Sequence, residues 1–197
     1  MTYRYQDLAE YDWLMPEILK HETSQALALG QLLYDVLLPK SVIDIGCGPG
    51  IYLKTFADLG WKVYGIDGAP AAGQCLLNEC FELVDLRNPW TPDCRYDLAI
   101  CVEVAEHLQP IHADTLVATI CACSDTIFFT AARPDQGGES HLNEQPREYW
   151  LEKFSKFRIG LHPRNDEVMR VINSDPVYEH CGWIRWNGML LGKLPAG

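Results

Sequence analysis

The stretch SVIDIGCGPGIYLKTF, residues 41–56, runs Val42, Ile43, Asp44, Ile45 and then sets glycines at 46, 48 and 50. A short apolar run ended by glycines is the pattern of a buried parallel strand breaking into a tight turn. The apolar spacing of Ile51, Leu53, Phe56 and Leu59 lets a helix follow. Glycines there let a ligand lie against the backbone, and the start of the next helix presents free N–H groups. Asp44 adds a constraint, because a carboxylate near the end of a buried strand needs a donor or a cation.

Around this unit, strand-like runs at 41–45, 62–67, 81–84, 96–102 and 125–131 alternate with helix-like segments near 50–59, 70–78 and 104–122. Such alternation gives an α/β fold with a parallel sheet covered on both faces. An apolar-periodic segment at 12–37, including Trp13, Leu14, Ile18, Leu29 and Leu33, precedes it as one long helix or two short ones. The last third has a Gly/Pro/Asp loop at 133–140, a helix starting near Pro146, another near 163–173 and a strand near 187–193. Ligands of such sheets bind beyond the carboxyl ends of the strands, where the strand order reverses.

With 197 residues and 48% hydrophobic content, the chain can build one domain with a full core. Its net charge of −11 opposes a phosphate-rich partner and lacks the basic footprint of nucleic-acid binding, so no nucleic acid is expected. Eight cysteines show no CxxC spacing, and several sit in apolar runs, as reduced core thiols do. No apolar run approaches the roughly 18 residues of a membrane span, and the first residues lack a basic region followed by an apolar one. The expected location is cytoplasmic.

The glycine turn is GxGxG, whereas dinucleotide sites favour GxGxxG. Asp67 stands at the end of the second strand, 17 residues after Gly50. A carboxylate there accepts from both hydroxyls of a ribose, or caps a helix before GAPAAG; its place relative to the turn favours the ribose.

The segments DIGCGPG, VYGID, LVDLRN and YDLAICVEVAEHL together resemble the motifs of the class I S-adenosylmethionine-dependent methyltransferases. The resemblance covers roughly residues 40–195. It implies a Rossmann-like, mostly parallel seven-stranded sheet with an antiparallel last strand. It also implies one methyltransferase domain over 1–197, with a helical prelude at 1–40, a cofactor-binding part at 41–131 and a substrate-side part at 132–197. Carried over by position, Asp44, Gly46, Cys47, Gly48 and Gly50 would line the methionine part of S-adenosylmethionine and Asp67 its ribose. Asp85 and Leu86 would hold the adenine, and Glu103 would lie beside the sulfonium and its amino group. Asp85 could equally cap the turn into RNPW, and Leu86 could be core. GGESHLNEQPREYWLEKF and WIRWNGMLLGK resemble a bacterial small-molecule branch, which implies a hydroxyl acceptor on a sugar, nucleotide-sugar or natural product.

Methyl transfer from a sulfonium needs an aligned nucleophile, and a base only if that nucleophile must lose a proton. Histidine suits the task near neutral pH, and the candidates are His141 and His107. Glu103, Glu106 and His107 share one face of a helical turn, a grouping that holds a divalent metal in some relatives, although no metal is expected here. Two other readings stay open. Tyr149 and Lys153 form a YxxxK pair, as in nicotinamide-dependent short-chain oxidoreductases, and the chain could also be a non-catalytic S-adenosylmethionine-binding module.

Overall fold

The computed structural model describes residue 12 and residues 14–195. Residues 1–11 and Trp13, the latter part of the apolar pattern of the first helix, lie outside the described residues. The strands are β1 Ser41–Ile45, β2 Lys62–Asp67, β3 Phe81–Leu83, β4 Leu98–Val102, β5 Thr126–Thr130, β6 Ile159–Leu161 and β7 Met189–Lys193. The helices are α1 Leu14–Leu37, α2 Ile51–Asp58, α3 Ala113–Cys123, α4 Arg147–Ser155, α5 Asn165–Ser174 and α6 Gly182–Asn187.

The seven strands form one sheet in the order β3-β2-β1-β4-β5-β7-β6. β1 to β5 pair in parallel, and β7 runs antiparallel to both β5 and β6. Period-two alternation divides each strand between two apolar layers. Ile43, Ile45, Cys101, Ile127 and Phe129 face a core shared with Leu116 and Ile120 of α3 and Trp150 and Phe154 of α4. Val42, Leu98, Ile100 and Phe128 face the opposite core with Leu29 and Leu33 of α1, Phe56 of α2 and Ile172 of α5. Phe129 packs edge-on to Phe154 at 5.2 Å between ring centroids. The strand order reverses between β1 and β4, so a crevice opens beyond their carboxyl ends. Among the described residues no helix is long and apolar enough to cross a membrane.

Three expectations need correction. Residues 70–78 form turns and a short 3₁₀ segment, Asn78–Cys80, in place of a helix. The Gly73 and Cys75 N–H groups donate to the carbonyls of Gly48 and Pro49 at 2.8 Å, so they are bound to the glycine turn and lost to a helix ladder. The segment 104–122 begins as two 3₁₀ turns, Ala105–His107 and Pro110–His112, and becomes helical only from Ala113. β6 is an additional edge strand of three residues, and the strand near 187–193 is preceded by α6.

The long first helix is one element, fixed by a close crossing with α2. A Cβ at Gly30 would stand 2.6 Å from Cγ2 of Thr55. Gly30→Val therefore forces α1 off α2, and urea unfolding should show a loss of about 1–3 kcal/mol.

Candidate functional site

Gly46, Gly48 and Gly50 adopt φ of 77°, 51° and 89°, a left-handed region that side chains rarely enter. The Gly46 and Cys47 N–H groups donate to the Ile66 carbonyl at 2.8 and 3.1 Å. The Gly48 N–H donates to Asp67 Oδ2 at 2.8 Å, and the Ala69 N–H to Oδ1 at 2.7 Å. Asp67 thus joins the turns after β1 and β2, and each of its oxygens keeps a lone pair for a further donor. Burial raises its pKa, against the lowering effect of the backbone donors. Burial raises Asp44 much further, with Asp67 adding to it.

A cavity of about 130 Å³ lies over this turn, lined by Gly46, Gly48, Asp67, Asp85, Leu86 and Glu103 together with Met15 and Ile18 of α1. Asp85 also accepts from Arg87 Nε and Nη2, both at 2.8 Å, and this pairing holds its pKa below the usual carboxylate range. It both caps its own turn and lines the cavity.

A second cavity, of about 330 Å³, shares Gly46, Gly48, Glu103 and His107 with the first. Asp44, Cys47, Glu22 and Tyr52 also border it, and the loop after β5 contributes Gln136, Glu139 and His141. Glu103 has φ 51°, outside the regions a glutamate prefers. Its N–H donates to Thr130 Oγ1 at 2.9 Å, Gln136 Nε2 donates to its Oε2 at 3.0 Å and Asn187 Nδ2 to its Oε1 at 3.1 Å.

His107 and His141, 34 residues apart in sequence, meet edge-to-face with ring centroids 5.1 Å apart. Glu144 Oε1 lies 2.8 Å from His141 Nδ1. Burial and the neighbouring His141 push the His107 pKa down to about 4, which keeps that ring neutral at pH 7. Glu106 is fully buried, and burial together with Glu103 raises the pKa of its carboxyl well above the usual range. One ligand atom from each of Glu106, His107 and His141 falls within 4.8 Å of the others. These three could hold a divalent transition metal. The set overlaps the grouping expected from spacing but exchanges Glu103 for a histidine of the next loop.

Of the residues singled out in the sequence, Gly50 lines neither cavity; it starts α2, where a Cβ would strike Leu76 Cγ at 2.7 Å. Tyr149 and Lys153 are also absent from both. Lys153 Nζ pairs with Asp114 at 3.0 Å and lies 4.6 Å from the centroid of the Tyr149 ring, so the YxxxK pair is a packing and ion-pair feature of α4. Glu22 and Tyr52 were missed. Tyr52 follows the glycine turn directly and could have been found there, but Glu22 sits in the polar-looking run HETSQ.

A methyltransferase-domain family model matches residues 18–171, more than half of the chain. The chain belongs to the class I S-adenosylmethionine-dependent methyltransferases. A ubiquinone biosynthesis O-methyltransferase of Aeromonas salmonicida is 30% identical over 126 residues, covering 58% of this chain and 48% of that relative. The chain spans less than half the length of the curated relatives it matches. Among solved structures, the magnesium protoporphyrin IX methyltransferase of Synechocystis PCC 6803 with bound SAM superposes with a TM-score of 0.60 at 17% identity, over 82% of this chain and 90% of that one. The plantazolicin methyltransferase BpumL, in complex with a pentazolic desmethylPZN analog and SAH, gives a TM-score of 0.58 at 18% identity, over 95% of each chain. These two likenesses establish the fold of this methyltransferase.

S-adenosylmethionine is the methyl donor of this family, and the residues present fit it. A Cβ at Gly48 would lie 3.4 Å from Ile18 Cδ1, filling the gap between the turn and α1 that a ligand on the backbone needs. Asp67 offers the paired acceptors of a ribose site, and Asp85 with Leu86 borders the same cavity. Asp67→Ala should weaken S-adenosylhomocysteine binding in calorimetric titration about ten- to hundredfold; unchanged affinity in a folded variant would remove the ribose role.

Glu22 supplies a second test in this methyltransferase. Burial, with Glu103 adding, pushes its pKa up from 4.5 to about 7. The folded state therefore binds more protons than the unfolded one between pH 4.5 and 7, and stability falls as pH rises through that window. Glu22→Gln removes the titration. It should match the parent at pH 4 and exceed it by about 1–3 kcal/mol at pH 8 in urea unfolding.

Proposed function

We propose that this methyltransferase transfers a methyl group from S-adenosylmethionine to a hydroxyl of a sugar- or natural-product-sized molecule held in the 330 Å³ cavity. The observation that carries the reading is the His141–Glu144 pair on the cavity wall beside His107. The similarity to curated O-methyltransferases supports an oxygen acceptor. When bound, S-adenosylmethionine supplies an activated sulfonium methyl group, so the chain must mainly position a nucleophile and exclude water.

Asp44, Gly46, Cys47 and Gly48 hold the amino-acid end of the donor, Asp67 its ribose and Asp85 with Leu86 its adenine. Glu103 stands where both cavities meet. Glu144 accepts the Nδ1 proton of His141, which leaves Nε2 basic. His141 Nε2 then takes the hydroxyl proton of the acceptor, while neutral His107 packs edge-to-face with the ring and limits its orientation. The loop carrying Gln136 and His141 closes the cavity from the side of β5.

His141→Ala should leave S-adenosylhomocysteine affinity intact while lowering turnover of a hydroxyl acceptor about 10²–10⁴-fold, measured with methyl-labelled donor. His107→Ala is the comparison. Loss of activity in His107→Ala, matched by chelator treatment of the parent, would assign Glu106, His107 and His141 to a metal and overturn His141 as base. A chain that binds donor and labels no acceptor would be a binding module.

A further inference from the structure

The 330 Å³ cavity is bordered by four carboxylates, Glu22, Asp44, Glu103 and Glu139, and by no lysine or arginine among the described residues. The adjoining 130 Å³ cavity brings Asp67 and Asp85, again without a described lysine or arginine lining it. Three of these six acids are held by donors of the fold. Asp67 accepts two backbone N–H groups, Asp85 pairs with Arg87, and Glu103 accepts from Gln136 and Asn187.

Glu22 differs. It projects from α1 into the larger cavity and makes no ion pair among the described residues. Its local environment is Glu103, which opposes its charge, and the hydroxyl of Tyr52. Tyr52 lines the same cavity on a side chain only 6% exposed, and its hydroxyl has no hydrogen-bond partner of ordinary geometry. Trp183 adds a second aromatic ring to the wall. A half-buried carboxylate, a buried phenol oxygen with a lone pair to spare and an indole together offer what an ammonium group requires: a counter-charge, an acceptor for N–H and an aromatic wall.

Resting on the methyl-transfer reading above, we propose that the larger cavity selects an acceptor that carries a protonated amine beside its hydroxyl, with Glu22 and Tyr52 receiving the ammonium. With Asp44 and Glu103 turned to the donor, an acceptor bearing phosphate or carboxylate, a nucleotide-sugar included, still meets Glu22 and Glu139 and no described cation in the same space. Glu22 is then a specificity residue, separate from the groups that hold the donor.

The test uses three probes that share a phenol and differ in charge: tyramine, 4-ethylphenol and 4-hydroxyphenylacetate. Each is titrated calorimetrically into the full chain saturated with S-adenosylhomocysteine. Tyramine should bind about tenfold or more tighter than the other two, and Glu22→Gln should remove that preference while leaving S-adenosylhomocysteine affinity unchanged. Equal or tighter binding of 4-hydroxyphenylacetate overturns the proposal, as does Glu22→Gln that still prefers tyramine, or a parent protein that binds none of the three. Weakened S-adenosylhomocysteine binding in Glu22→Gln overturns it as well, by assigning Glu22 to the donor. Failure of the parent to bind S-adenosylhomocysteine appears in the first titration and counts against the methyl-transfer reading itself.

Discussion

The carboxylate of Asp67 is the joint on which the site depends. It accepts one N–H from the turn after β1 and one from the turn after β2, and so fixes two loops that the parallel sheet only brings near each other. Hydrogen bonds to an ionised acceptor are worth roughly 1.5–3 kcal/mol each, enough to decide the conformation of a turn whose glycines have many alternatives. The glycine turn in turn recruits residues 73–75 through the carbonyls of Gly48 and Pro49, and Ile18 of α1 lines the same cavities as the turn. Strand ends, loop and first helix are therefore one connected construction around a cleft.

That cleft is acidic throughout, and the acids act on one another. Asp67 raises the pKa of Asp44, Glu103 raises those of Glu22 and Glu106, and burial is the largest cause in each case. A cleft of this kind has unfavourable electrostatics when empty and favours cationic occupants, because each arriving positive charge relieves several carboxylates at once. The turn after β4 answers the same field with a neutral imidazole, His107, and the loop after β5 with the Gln136 amide that donates to Glu103.

Much of this was legible in the chain. The glycine turn, Asp44, Asp67 and the alternating strands could be read because each rests on local pattern: period two in the strands, φ-permissive residues after them and a carboxylate at a strand end. The helix expected at 70–78 was not formed, since Ala71 and Ala72 favour a helix locally but the neighbouring N–H groups find carbonyls in another loop. β6 is three residues long, too short for alternation to register. The meeting of His107 with His141 and the inward direction of Glu22 depend on how two loops and one helix pack, and no spacing along the chain encodes that. Asp85 was read both as ligand and as turn cap, and its geometry satisfies the second reading while leaving it at the cavity wall.

Glu103 holds a left-handed backbone conformation, which costs a side-chain-bearing residue on the order of 1 kcal/mol relative to glycine. Its carboxylate also sits among other acids at the point where the two cavities join. A glycine at this position would relax the backbone and remove a repelling charge from Glu22. Under the proposed function, in which this carboxylate borders the donor, laboratory evolution scored only on heat resistance would pull position 103 away from glutamate, whereas evolution scored on turnover would retain it. On that reading thermal robustness and catalytic competence are opposed at this one residue, and improving the first without damaging the second has to draw on changes elsewhere in the sheet and its helices.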